Sequence, residues 1–216
     1  PAGLVMAKLL YPETETPETL GKDIQVHYEK PPSVYAAVIN GAQTGVQLVL
    51  NIAALLIAVL GLVALCDLFL VTAGTHLNTL VGIDVNWSLA GLMGYLFYLP
   101  TLLIGVPPSD AWEISRIIGE RSIVTELTAY QDLAAIMTRE VLHHPRSAVI
   151  ATYALCGFAH VGSIAIFVGG VSALAKDRTN DIAKCGVRAL FAATMACMMT
   201  ACVAGIFYNS TSLLLP

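Results

Sequence analysis

The chain is 216 residues long, 56% hydrophobic and only 12% charged, with a formal net charge of −4. A soluble domain carries roughly 25% charged residues, so lipid rather than water is the main solvent for most of this length. No basic patch with interleaved aromatics is present, which argues against a nucleic-acid partner.

The opening, PAGLVMAKLLYPETE, reads as the last turns of a helix already under way, without initiator Met or signal peptide. The chain is therefore expected to be a fragment lacking an N-terminal part. Residues 1–33 are read as the end of a transmembrane helix followed by a polar, Pro-rich cytoplasmic loop, whose PETE acids form a solvated turn. Residues 34–86 are read as one long helix and an outer loop. Asn40, Gln43, Thr44, Gln47 and Asn51 recur on one face of the first half, and IAALLIAVLGLVALCDLFLV then runs almost without polar residues. That pattern suits a tilted helix, packed on protein at its polar end and on lipid at its apolar end. Residues 72–86 are read as the loop; they contain no Lys or Arg. The segment 87–110, WSLAGLMGYLFYLPTLLIGVPP with its flanking residues, is apolar but interrupted by Gly and Pro, and suits an interfacial or partly buried helix.

Residues 111–146 are the odd segment. The stretch AWEISRIIGERSIVTELTAYQDLAAIMTREVL holds eight charged residues, which no lipid-facing span tolerates. Two short helices meeting near Val124–Thr128 as a re-entrant hairpin fit it, because irregular backbone at membrane depth survives only against protein or a wet cavity. An extramembrane amphipathic pair is the alternative. Residues 147–216 are read as a broken transmembrane helix, whose middle CGFAHVGS carries Gly, His and Ser at mid-depth, and a final transmembrane helix rich in small residues. The fold class is thus all-α integral membrane.

Lys and Arg set the orientation. The 8–30 and 176–188 segments share basic residues and are placed in the cytoplasm, while 66–86 has none and is placed outside. This puts the C-terminus outside a multi-pass membrane protein; Arg139 and Arg146 then fall on the outer side, against the rule. The cysteines at 66, 156, 185, 197 and 202 show no metal-ligand spacing and read as buried small apolar residues.

Three polar residues stand out at depth: Glu126, His160 and Ser163. A carboxylate in the hydrocarbon costs about 2.5–3.5 kcal/mol on insertion scales, and a protein keeps one where something binds it. His160 and Ser163 are three apart and are expected to share a helix face, while Glu126 sits at the hairpin tip, with Thr125, Thr128 and Gln131 placed to orient it. Together they offer donors and acceptors to a polyhydroxylated solute, at the kind of interrupted-helix site where transporters bind substrate. Glu126 could instead pair with Arg121 or Arg116, His160 could be a helix–helix hydrogen-bonding residue, and Ser163 could serve packing alone. A Ser–His hydrolase lacks any nucleophile motif here. The chemistry is read as binding, not catalysis.

Two motifs at matching separation resemble a known family. GERSIVTELTAY (119–130) is similar to the concentrative nucleoside transporter signature Gly/Ala-x-Lys-x-x-x-Asn-Glu-Phe-Val-Ala-Tyr/Phe/Met, and ALCGFAHVGSIAI (154–166) resembles that family's Cys-Gly-Phe-Ala-Asn…Ser segment. AKLLYPETE and NGAQTGVQLVLNIAALLIA also look like family sequence, in the order expected of its C-terminal half. The resemblance implies an elevator-type homotrimer in the inner or plasma membrane that carries nucleosides with Na⁺ or H⁺. It implies that Glu126, His160 and Ser163 contact ribose, with Thr125 beside them, and that no cofactor or resident metal is needed. The base-reading hairpin and the coupling-ion ligands have no counterpart here and are expected upstream. This chain departs from the signature: Arg121 stands for Lys, Thr125 for Asn, Leu127-Thr128 for Phe-Val, and His160 for the ribose Asn. His160 can titrate near neutral pH where Asn cannot. A non-transporting membrane scaffold or assembly subunit is the alternative function.

Overall fold

The computed structural model describes residues 1–16, 20–21 and 31–209, and every regular element among them is helical. In chain order these are α1 (Ala2–Leu10), α2 (Val34–Val81), α3 (Leu89–Leu103), α4 (Pro108–Ile123), α5 (Glu126–Thr138), α6 (Pro145–Leu155), α7 (Val161–Leu174) and α8 (Thr179–Ile206). Much of the polar 17–30 stretch read as a loop lies outside the described residues.

Ser33 starts α2, its hydroxyl accepting from the Ala36 N–H at 3.1 Å. At 48 residues the helix is about 72 Å long at ~1.5 Å per residue, more than twice the ~30 Å hydrocarbon of a bilayer. Gly74 is its only buried residue, so most of its apolar side chains face away from the rest of this chain, while Leu55 and Leu56 lie against Gly169 and Gly162 of α7. Among the described residues, two helices, α2 and α8, are long and apolar enough to cross a membrane.

The expectation of a loop from residue 72 is corrected, since α2 continues to Val81. The threonines that suggested a loop satisfy themselves inside the helix. Thr72, Thr75 and Thr79 each donate a hydroxyl hydrogen bond to a carbonyl of the preceding turn, at 2.7, 2.9 and 2.7 Å. The true loop, 82–88, folds back on α2. Asn78 receives the Trp87 Nε1–H at 2.8 Å, and Asp67 receives the Leu89 N–H at the start of α3 at 2.7 Å.

A second correction concerns residues 176–188. This basic segment, placed in the cytoplasm, is mostly helix: Lys176–Arg178 form one 3₁₀ turn and α8 begins at Thr179. An exposed Arg178–Asp181 pair at 2.7 Å supports that first turn. Arg188, further along α8, stacks over the Tyr11 ring at 5.0 Å and anchors the end of α1.

The core lies among α4, α5, α6 and α8, around Ile114, Ile118, Ala129, Ile150, Leu155 and Ala201. Helix α3 lies along α4 at very close range, with Gly94 facing Gly119. Asp110 ties the start of α4 to the start of α6. Its buried carboxylate accepts the N–H groups of His143 and His144, both at 3.0 Å, and the hydroxyls of Ser147 at 2.6 Å and Ser109 at 3.1 Å. Burial alone raises this carboxyl; the hydrogen bonds, led by Ser147, outweigh it and hold Asp110 below the usual carboxylate range.

The cysteine expectation is also corrected. Cys197 is buried and Cys202 partly so, but Cys66, Cys156 and Cys185 lie exposed on this chain's surface. A surface facing lipid or further protein accepts a small apolar side chain as readily as a core does, so apolar surroundings in the sequence do not imply burial within this chain.

Candidate functional site

Helices α4 and α5 meet at Val124–Thr125, and helices α6 and α7 are separated by the non-helical residues 156–160. The two interruptions face each other. Thr125 is the N-cap of α5; its hydroxyl accepts from the Thr128 N–H at 3.4 Å and lies 3.2 Å from the Thr128 hydroxyl. Glu126 therefore occupies the first turn of α5, where the positive end of the helix dipole favours a carboxylate.

Across from it, His160 is the N-cap of α7. The expected shared helix face of His160 and Ser163 takes a different form, because His160 precedes the helix. Ser163 holds it through the backbone: its hydroxyl accepts from His160 N–H at 3.1 Å and donates to His160 C=O at 2.6 Å. This also removes Ser163 as a nucleophile, since its proton goes to a carbonyl and not to the imidazole.

Imidazole and carboxylate come together, with His160 Nε2 lying 3.3 Å from Glu126 Oε2. His160 is 2% exposed, and the Glu126 side chain is about one-third exposed. The approach is close but does not meet hydrogen-bond geometry. Glu126 Oε2 and His160 Nδ1 are both buried without a hydrogen-bond partner among the described residues. Such atoms are rare in native proteins and cost about 1–3 kcal/mol each when left unpaired.

Neither arginine takes the carboxylate. Arg116 bonds Glu113 at 3.1 Å. Arg121, fully buried, donates Nη1 to Ala159 O at 2.6 Å and Nη2 to Ala154 O at 2.7 Å. The ion-pair alternative for Glu126 is thus absent from the described geometry.

One residue that sequence reasoning passed over stands beside the pair. Phe158 is 54% exposed, although it lies in the middle of a helix interruption. Its ring meets the His160 ring edge to face, at 4.9 Å between centroids. Together with Ser163, Ile164, Phe167 and Leu190 it lines an open, mostly apolar cavity of about 420 Å³ between α7 and α8. Glu126 and His160 do not themselves line that cavity. The signal was available: an aromatic inside CGFAH, where no helix needs it for packing.

Comparison with known proteins supplies the family. The family model described as Na⁺ dependent nucleoside transporter C-terminus matches residues 1–205. Solute carrier family 28 member 3 of Mus musculus is 36% identical over 97% of this chain and 31% of its own length. The nucleoside permease NupC of Helicobacter pylori is 31% identical over 96% of this chain and 48% of its own length. A solved structure of a CNTnw variant in an outward-facing state superposes with a TM-score of 0.80 at 33% identity, covering 96% of this chain and 48% of that one. CNTnw in an inward-facing substrate-bound state gives 0.67 at 33% identity, covering 95% and 48%. The chain thus spans from 31% to 48% of the length of these relatives. The fold, the two facing interruptions and the match across 1–205 converge: this chain belongs to the concentrative nucleoside transporter family, a family of membrane transporters rather than enzymes, and corresponds to its C-terminal region.

Proposed function

We propose that the chain supplies the sugar-binding half of a nucleoside symporter driven by Na⁺ or H⁺. The observation that carries this reading is the pair of buried, unpartnered polar atoms, Glu126 Oε2 and His160 Nδ1, at the meeting of two helix interruptions. A ribose satisfies both at once. Its hydroxyls donate to the Glu126 carboxylate and exchange one hydrogen bond with the imidazole. Ser163 has an acceptor lone pair left beyond its backbone bonds, and Thr125 positions the start of α5. Phe158 offers an apolar face beside the sugar. A solute without the hydroxyls leaves the carboxylate unpaired and is rejected by about 1–3 kcal/mol.

In this reading α4–α5 is a re-entrant hairpin, α6–α7 a broken transmembrane helix and α2 the scaffold of a homotrimer. The protein is multi-pass in the cell membrane, with the C-terminus outside. The coupling-ion ligands and the base-reading groups lie on segments other than this chain.

The test is uptake of radiolabelled nucleoside by the full-length protein in proteoliposomes. Glu126→Gln is expected to depress uptake severely while the protein still accumulates in the membrane. Unchanged kinetics would remove Glu126 from the site, and an absence of saturable uptake in the wild type would favour a scaffold subunit.

A further inference from the structure

Helix α6 stops at Leu155 and leaves its last carbonyls without N–H partners of their own helix. Side chains take three of them in succession. Tyr130 Oη of α5 donates to Thr152 O at 2.9 Å, Cys156 Sγ to Tyr153 O at 3.0 Å, and Arg121 Nη2 of α4 to Ala154 O at 2.7 Å. Both helices of the α4–α5 pair therefore cap the end of α6. Arg121 also reaches past it, through Nη1, to Ala159 O at 2.6 Å, the residue just before His160.

We propose that Arg121 is the positioning residue for the sugar-binding pair. It spans the interruption between α6 and α7 with two separate nitrogens, and so sets where His160 begins α7. It also stands five residues before Glu126 on the opposing element. One rigid guanidinium thus fixes both halves of the 3.3 Å Glu126–His160 approach. A fully buried guanidinium without a carboxylate partner among the described residues is costly unless its donors are used. Here Nη2 is spent on Ala154 O at the C-terminus of α6, where the dipole favours positive charge, and Nη1 on Ala159 O in the interruption, while Nε has no partner among the described residues. Lysine keeps the charge, but its three donors sit on one nitrogen and cannot take the two separate positions that Nη1 and Nη2 hold at Ala159 O and Ala154 O.

The inference rests on the reading of Glu126 and His160 as the sugar site, and the experiment separates the two. Equilibrium binding to the purified full-length protein is measured for uridine and for its 2′,3′-dideoxy analogue, in wild type, Arg121→Lys and Tyr130→Phe. Wild-type preference for the hydroxylated ligand tests the site; the change in that preference tests Arg121. The preference factor is expected to shrink roughly ten-fold in Arg121→Lys, since a charge-assisted hydrogen bond is worth about that or more. Tyr130→Phe is expected to shrink it less, and it decides the matter if Arg121→Lys does not fold. Absence of preference in the wild type overturns both ideas. Preference in the wild type that persists in the variants, or affinities for both ligands falling in parallel, overturns the positioning role alone.

Discussion

Gly119→Ala sets local propensity against packing. Alanine is better than glycine inside a helix by about 1 kcal/mol, so propensity alone makes the variant more stable. The structure reverses the sign. A Cβ at Gly119 would fall 2.5 Å from Gly94 N, 2.6 Å from Met93 C and 2.9 Å from Gly94 Cα. All three are backbone atoms, and no rotamer change relieves them. Ordinary contacts begin at 3.4 Å, so α3 and α4 must part by nearly an ångström. Overpacking of this kind costs about 1–3 kcal/mol, which leaves a net loss of up to about 2 kcal/mol. At about 2–4 °C per kcal/mol for a chain of this size, the thermal midpoint of the purified protein falls by up to ~8 °C. At Gly94 a Cβ would come no nearer than 3.3 Å, to Arg116 Cα and Cγ, and Gly94→Ala is expected to cost less. Because Arg121 lies two residues after Gly119, nucleoside affinity is expected to fall along with stability. A midpoint that stays level or rises in Gly119→Ala, or a larger drop in Gly94→Ala, would refute the packing argument.

Two further outcomes are expected. Asp110→Asn removes a buried carboxylate that accepts from two N–H groups and two hydroxyls, and is expected to cost about 1–3 kcal/mol at neutral pH. Because the folded-state pKa of Asp110 is depressed, its contribution is fully present above the ordinary carboxylate value near 3.9 and is lost as pH falls below it toward the folded value. Thermal unfolding followed from about pH 6 down to about pH 2 is therefore expected to show a shallower acid limb in the variant; limbs of equal slope would contradict the assignment. His160→Asn exchanges an ionisable imidazole for an amide that carries no charge at any pH, at the position 3.3 Å from Glu126. It is expected to keep nucleoside uptake and to flatten its pH dependence, and pH profiles identical to wild type would sink the idea.

The sequence by itself determined the solvent, the helices and the family resemblance. Low charge and long apolar runs leave few ways to satisfy a backbone other than helix, and the eight charges of 111–142 forced a helix–turn–helix onto an otherwise apolar chain. Glu126, His160 and Ser163 could be singled out because ionisable and polar groups are expensive in such surroundings. Helix ends were less legible. Thr72, Thr75 and Thr79 look like loop residues but bond back to their own helix, a choice that depends on rotamers and not on composition. Tertiary structure alone decided which partner each polar group takes. Arg121 goes to two carbonyls, Ser163 to its own cap, and Glu126 and His160 are left facing each other with unfilled hydrogen-bonding capacity. Hydrogen bonds act over about 3 Å, whereas the residues that make this site are spread along the chain from 121 to 163. Only the packing of α4–α5 against α6–α7 brings them within that reach.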